Sequence, residues 1–211
     1  SRRLFAIMRR FTDQVEAYSI DEGFMDITGL DKVEGLSYRQ IAETVKNTIQ
    51  RELGITVSVG LAPTKVLAKL ASGSNKPNGL VAISCQDLPE YLRDFLVDQV
   101  WGIGSSTAEY MRRLNIFTAY DFVNQPLGAV RDNFSKPHQE IWQELQGVSV
   151  YPVIAEEKTT VASISKTHTF SVGRTDRQAV YAELIRNIEN ACAKARQHNL
   201  VTARVSIFLK T

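Results

Sequence analysis

Asp21 and Glu22 stand side by side in the run Tyr18-Ser19-Ile20-Asp21-Glu22-Gly23-Phe24-Met25-Asp26. Adjacent carboxylates repel each other, and a divalent cation with a preference for hard oxygen ligands, typically Mg2+, keeps both ionised. A second stretch, Val100-Trp101-Gly102-Ile103-Gly104-Ser105, offers a different chemistry. Its glycines let the backbone approach a phosphate, and the N-terminus of the following helix presents unpaired N–H donors. The last residues carry Thr202, Arg204, Ser206 and Lys210 at alternate or near-alternate positions, a hydroxyl-rich and basic set suited to a phosphate backbone. A solvated polar turn, an ordinary turn between helices and a solvated sheet face would show the same residues, so at this level both readings stay open for each stretch.

The elements around these residues are legible from periodicity. Val15, Ala17 and Ser19 alternate with Glu16, Tyr18 and Ile20, and Phe24, Asp26 and Thr28 alternate with Gly23, Met25 and Ile27. Period two on both sides of a polar pair is a β-hairpin with the acids near its tip. Before it, residues 1–13 read as a helix with Leu4, Ile7, Met8 and Phe11 on one stripe. After it, Gly29 to Gly35 reads as a loop, and Ser37 as the N-cap of a helix marked by Ile41, Val45 and Ile49 and ended by Gly54. Ile55 to Leu61 is a β-branched strand, Pro63 opens a helix buried through Val66, Leu67, Leu70 and Ala71, and Leu80 to Ile83 is a short strand. On that helix Lys65 and Lys69 share a basic side.

Near residue 88 the pattern changes to short helical pieces broken by glycine and proline. Gly102 to Ser105 then reads as a helix-hairpin-helix turn, and Ile141, Trp142 and Leu145 as a packing stripe. Residues 152–160 form a charged linker. Beyond it a strand is expected over about 161–172, a helix over 176–198 burying Val180, Leu184, Ile188, Cys192 and Ala195, and a strand over 201–209. The fold class is α+β: a domain over 1–87 with an antiparallel sheet and helices, an all-helical domain over 88–151, the linker, and the start of an α/β domain over 161–211.

With 211 residues and 44% hydrophobic content, the chain can bury a core and is not of disordered composition. Its apolar runs are shorter than a membrane span, and nothing resembles a signal peptide. Cys85 and Cys192 lie far apart without metal-ligand spacing and read as reduced thiols. The start at Ser1, inside an amphipathic helix, reads as a fragment. Residues 1–158 hold 17 Lys and Arg against 20 Asp and Glu, whereas residues 159–211 hold 8 against 3. The basic final quarter favours a polyanionic partner.

Tyr-Ser-Ile-Asp-Glu-Gly-Phe, then Val-Ser-Val-Gly-Leu-Ala-Pro-Thr-Lys-Val-Leu-Ala-Lys-Leu-Ala-Ser, then Asn-Lys-Pro-Asn-Gly, then Val-Trp-Gly-Ile-Gly, in this order, resembles the Y-family translesion DNA polymerases. Within them it looks like the UmuC branch, also called ImpB/MucB/SamB. The resemblance implies that the three domains are a palm remnant, a thumb with the helix-hairpin-helix and the N-terminal half of a little finger. It implies template-directed DNA synthesis past damaged bases in an SOS-linked DNA-damage response, by two-metal nucleotidyl transfer. Asp21 and Glu22 become the catalytic, Mg2+-binding carboxylates, with Ser19 the motif serine beside them. Lys76 becomes the contact to the incoming nucleoside triphosphate. Gly102, Ile103, Gly104, Ser105, Lys166 and Arg204 become DNA contacts. Two Mg2+ ions, primer-template DNA, deoxynucleoside triphosphates, a sliding clamp and a UmuD-like accessory subunit are the implied cofactors and partners, in a cytoplasmic, nucleoid-associated setting without a membrane.

The family's third metal-binding Asp and its fingers domain match nothing in this sequence, and neither Asp13 nor Asp26 takes that place. The chain by itself is therefore expected to be an incomplete active site. A DNA-binding module without chemistry is the alternative. A nucleotidyl cyclase is a third reading, and the glycine hairpin argues against it.

Overall fold

The structure, a computed structural model, describes residues 1–156 and 162–210. The chain divides into two compact units, Ser1–Glu157 and Lys158–Thr211.

The first unit begins with α1 (Arg2–Met8), which buries Leu4, Phe5, Ile7 and Met8. Strand β1 (Val15–Ala17) pairs antiparallel with β2 (Gly23–Met25), Val15 opposite Met25 and Ala17 opposite Gly23, so residues 18–22 are the connecting tip. The expected hairpin with the acid pair at its tip is what forms. Where a loop was expected, a one-turn helix α2 (Leu30–Glu34) stands between Gly29 and Gly35. Helix α3 (Tyr38–Leu53) starts at Ser37 through a reciprocal cap: Gln40 N–H donates to the Ser37 hydroxyl, and Gln40 Oε1 accepts from Ser37 N–H at 2.8 Å. Its Ile41, Val45 and Ile49 are buried, and Val45 and Ile49 join Leu4, Phe5, Ile7, Met8 and Val15 in one apolar cluster.

Strand β3 (Val59–Leu61) and strand β4 (Leu80–Ala82) are joined by α4 (Lys65–Ser74) and run parallel, Gly60 opposite Val81. This corrects the expected single antiparallel sheet: there are two two-stranded sheets among the described residues, one antiparallel and one parallel. Parallel neighbours need a crossover connection to bring the chain back in its original direction, and α4 supplies it. The run 55–61 is a strand only over its last three residues, because β4 offers three partners. Thr64, not Pro63, caps α4: its Oγ1 accepts from Leu67 N–H at 3.4 Å. Helix α4 lies so close on β3 that a Cβ at Gly60 would sit 2.0 Å from the Ala68 carbonyl oxygen, so only glycine fits there.

From α5 (Leu88–Tyr91) the unit is helical, through 3-10 turns at Leu92–Asp94 and Val97–Gln99 and helices α6 (Ser105–Arg113), α7 (Ala119–Val123), α8 (Leu127–Asn133) and α9 (Lys136–Leu145). One core holds Val66, Leu67 and Leu70 of α4 together with Leu92, Met111, Phe122 and Leu145. The change of pattern near residue 88 is thus a change of secondary structure inside one packed core. Ile141 and Leu145 are buried as their spacing predicts, while Trp142 is half-buried.

The second unit contains α10 (Arg177–Gln197), capped by Asp176 through Gln178 N–H at 2.9 Å. The helix is as expected, but its apolar stripe is not buried: no residue of α10 is, and Ile188 is 40% exposed. The expected strands also fail within the described residues, where 162–172 and 201–210 carry no β-pairing. Val201, Val205, Ile207, Phe208 and Leu209 are all exposed. Alternation selects a face, but a strand exists only when neighbouring backbone N–H and C=O groups pair with it. Residues 157–161 of the linker and first strand, and Thr211, lie outside the described residues. Among those described, no helix is long and apolar enough to cross a membrane.

Candidate active site

The hairpin tip is closed by its own hydrogen bonds. Ser19 N–H donates to the Glu22 carbonyl at 2.9 Å, and the Ser19 hydroxyl donates to Asp21 Oδ1 at 2.9 Å. The side chain of Ser19 thereby orients one oxygen of Asp21, and the other has no partner among the described residues. Asp21 is exposed and Glu22 half-buried. Lys69, from the second turn of α4, donates to Glu22 Oε1 across a separation of 47 residues. Asp26 Oδ1 accepts from Thr28 N–H at 2.9 Å, a local turn bond that suits a structural role.

Asp21, Glu22, Lys65, Lys69, Lys76 and Tyr151 line one cleft of about 1600 Å³. The acid pair and Lys76, singled out for different reasons, therefore line the same cleft. Lys65 does not share a solvated basic side with Lys69. It is buried, donates to Glu16 Oε2 at 2.6 Å and to the Pro152 carbonyl at 3.2 Å, and lies 4.8 Å from the centre of the Phe24 ring. Glu16 Oε2 also accepts from Ile154 N–H at 2.8 Å. Close by, the fully buried Glu144 carboxylate accepts from Val66 N–H at 3.1 Å, Val150 N–H at 2.6 Å and Tyr151 N–H at 2.8 Å. Burial, with Glu140 and Glu144 nearby, pushes the Tyr151 hydroxyl up to about 12. Sequence reasoning missed Glu16, Lys65, Lys69 and Glu144 as parts of this region. Apart from Val150 and Tyr151, which follow Glu144 by six and seven residues, their partners lie 47 to 138 residues away along the chain, and the one local signal was the four-residue spacing of the two lysines.

The glycine turn is formed as a turn into α6. Gly102 has φ +91°, and a Cβ there would lie 2.7 Å from Ile141 Cδ1, so both backbone and space demand glycine. Ile103 is buried and its N–H donates to the Val100 carbonyl at 3.0 Å, which makes it the packing residue of the turn. Gly104 caps α6 without a side-chain hydrogen bond, so no side chain covers the first-turn N–H groups that begin at Ser105. Trp101, next to Gly102, packs its ring 5.2 Å from Tyr18 and 5.5 Å from Phe24. The aromatic contacts thus join the glycine turn to the acidic hairpin. Lys166 and Arg204 are exposed in the second unit, on segments without regular secondary structure.

The chemistry of the tip suits one hard divalent cation, which Asp21 and Glu22 would hold: the carboxylates are adjacent, and each has one oxygen without a partner among the described residues. A second ion requires further ligands, and among the described residues no group of three or more His, Cys, Asp or Glu side chains is placed to hold a metal.

Comparison with known proteins identifies the family. Residues 1–73 match the impB/mucB/samB family model, and residues 161–211 match that of the impB/mucB/samB family C-terminal domain. The chain belongs to this family, the Y-family DNA polymerases. It is 31% identical over 210 residues to DNA polymerase IV of Pelotomaculum thermopropionicum, covering all of this chain and 52% of that protein. It is 30% identical over 211 residues to DNA polymerase IV of Citrobacter koseri, covering all of this chain and 60% of that protein. Among solved structures, the Y-family DNA polymerase chimera Dbh-Dpo4(243-245)-Dbh superposes with a TM-score of 0.72 at 28% identity, over 92% of this chain and 56% of that one. The insertion ternary complex of Dbh DNA polymerase gives a TM-score of 0.62 at 28% identity, with 92% and 56% covered. The chain spans about half the length of the curated relatives it matches.

Proposed function

We propose that this chain is the part of a translesion DNA polymerase that carries the acidic half of the nucleotidyl-transfer site and the glycine turn that holds a DNA strand. The observation that carries the reading is that the Asp21–Glu22 tip and Lys76 line one cleft, although 54 residues separate Glu22 from Lys76. Asp21 and Glu22 would hold Mg2+, and Lys76 would neutralise the triphosphate of the incoming deoxynucleotide as a point charge. Ions held there and by ligands beyond these two carboxylates would supply charge stabilisation to the attacking hydroxyl and to the leaving pyrophosphate. The N–H groups that open α6 would take a strand phosphate, and Lys166 and Arg204 would add phosphate contacts from the second unit. In this reading residues 1–87, 88–151 and 161–211 are palm, thumb and little finger. The finer assignments rest on motif resemblance: a UmuC-like branch, an SOS setting, a cytoplasmic and nucleoid-associated location, a sliding clamp and a UmuD-like subunit. The relatives above carry the name DNA polymerase IV.

Two tests separate this reading from a purely DNA-binding one. Supplied alone with primer-template, Mg2+ and deoxynucleotides, the 211-residue chain is expected to incorporate nothing, because two carboxylates do not complete a two-ion site. Incorporation that Asp21→Ala abolishes would overturn that expectation. Duplex binding is expected to be sequence-independent, with log affinity falling against log salt at about −0.9 per neutralised phosphate. Arg204→Ala should reduce the magnitude of that slope by about one. Binding that ignores salt, or prefers one sequence, speaks against phosphate contacts.

A further inference from the structure

We propose that Lys69 is a built-in counter-ion of the acidic tip, which occupies Glu22 when no divalent cation is bound and is displaced from it when one binds. The inference rests on the divalent-cation reading of Asp21 and Glu22 and adds a competitor to it. It makes Lys69 a positioning residue that sets how tightly the tip takes a metal.

Among the described residues, Lys69 is the cation paired with the tip. Lys69 Nζ donates directly to Glu22 Oε1, so the ammonium already sits at a carboxylate oxygen that a cation would use. Lys65, one turn earlier on α4, is committed to Glu16 and the Pro152 carbonyl and is 10% exposed in its side chain, so it is not free to substitute. Lys76 lines the same cleft but makes no ion pair with either tip carboxylate. The backbone on both sides is fixed. The tip is closed by the Ser19 N–H to Glu22 carbonyl bond, and Lys69 sits mid-helix with its own carbonyl bonded by the Ser72 hydroxyl at 2.9 Å. Only the flexible four-carbon stem of Lys69 and the Glu22 side chain need to move for the exchange.

Charge explains why such a residue would be there. Two carboxylates at neighbouring positions on an exposed turn repel each other, and one ammonium offsets that repulsion until a cation replaces it. Asp21 is held by a neutral hydroxyl, which costs an incoming cation nothing in lost ion pairing. Glu22 must give up a charged partner. The affinity of the tip for a divalent ion is therefore lower by the strength of the Lys69 contact, and the loading of the site is linked to release of the lysine.

The experiment uses the complete 211-residue chain without DNA or nucleotide, and Mn2+ as a paramagnetic probe read by electron paramagnetic resonance. Wild type is expected to show a Mn2+ site that Asp21→Asn removes. Lys69→Met should tighten that site about tenfold, a change of about 1.4 kcal/mol. Lys69→Arg, which keeps a cation in place, should stay within about twofold of wild type. A second measurement reads the displacement itself. Modification of Lys69 by an amine-reactive reagent should rise with added Mn2+ in wild type and not in Asp21→Asn. If Lys69→Met binds Mn2+ no more tightly than wild type, if Lys69→Arg behaves like Lys69→Met, or if the reactivity of Lys69 ignores Mn2+, the counter-ion role is wrong while the metal site stands. If no variant shows Asp21-dependent Mn2+ binding, the metal reading fails and this inference with it.

Discussion

Asp21→Asn, placed in a polymerase that contains these residues, is expected to lower kcat by at least about a thousandfold, or ~4 kcal/mol of transition-state stabilisation, with DNA affinity retained. The substitution keeps the shape of the side chain and its bond from the Ser19 hydroxyl, and removes the charge from the exposed tip. A charge that acts where metal, attacking oxygen and phosphorus meet contributes mainly to the transition state, so its loss appears in kcat. Lys76→Ala should fail differently. In the proposed site its ammonium would face a triphosphate that is charged before and during the reaction, so the loss should appear substantially as a raised nucleotide KM, with a smaller part in kcat. Single-nucleotide incorporation on an undamaged primer-template separates the two. Near-normal kcat for Asp21→Asn would return the acid pair to a solvated polar turn.

Glu144→Ala is expected to destabilise the first unit by about 4 kcal/mol, an order-of-magnitude figure for three charge-assisted hydrogen bonds lost together in a buried site. The carboxylate has no exposed surface and takes three N–H donors from two places: Val66 at the start of α4, and Val150 and Tyr151 on the segment after α9. Alanine would leave these donors without the acceptor that now satisfies them. For a unit of roughly 150 residues this corresponds to a fall in Tm of about 10 °C. Glu144→Gln, which keeps one acceptor oxygen, should cost about half as much. An exposed control, Glu43→Ala on α3, should change stability by less than ~0.5 kcal/mol, since its ion pair with Arg39 is solvated. Thermal unfolding checks the magnitudes. Hydrogen exchange at Val150 and Tyr151 checks the location, because Glu144→Ala should speed it at these two amides before it does so across α3. Stability of Glu144→Ala within 1 kcal/mol of wild type would show that the segment after α9 is not held by this carboxylate.

Glu144 also marks where sequence reasoning ran out. Its spacing of three from Ile141 puts Glu144 on the same helix face as Ile141 and Leu145, but a carboxylate is seldom buried unpaired and nothing in the sequence names the partners that would let it be. Its burial depends on donors that come from α4 and from residues 150 and 151, and those donors are placed only when the core assembles. Lys69 is the same kind of case: its spacing from Lys65 is visible, but its partner Glu22 sits on another element. The second unit shows the converse error. Alternating apolar and polar residues over 201–209 satisfy every local condition for a strand, yet no described neighbour offers the hydrogen bonds, so the segment is not one.

What the sequence determined by itself is local in its physics. The hairpin follows from period-two alternation, the caps at Ser37 and Asp176 from side chains that satisfy helix N–H groups a few residues on, and the tight turn at Gly102 from a residue type that tolerates positive φ. The pairing of Asp21 with Glu22 is written in adjacency. Only the tertiary structure decided that β3 and β4 run parallel, that α4 and the helices after residue 88 share one core, that Lys65 is spent on Glu16 while Lys69 reaches Glu22, and that Lys76 opens onto the same cleft. These depend on contacts between residues about 20 to 80 positions apart, whose energies are as large as the local ones but whose partners no periodicity names.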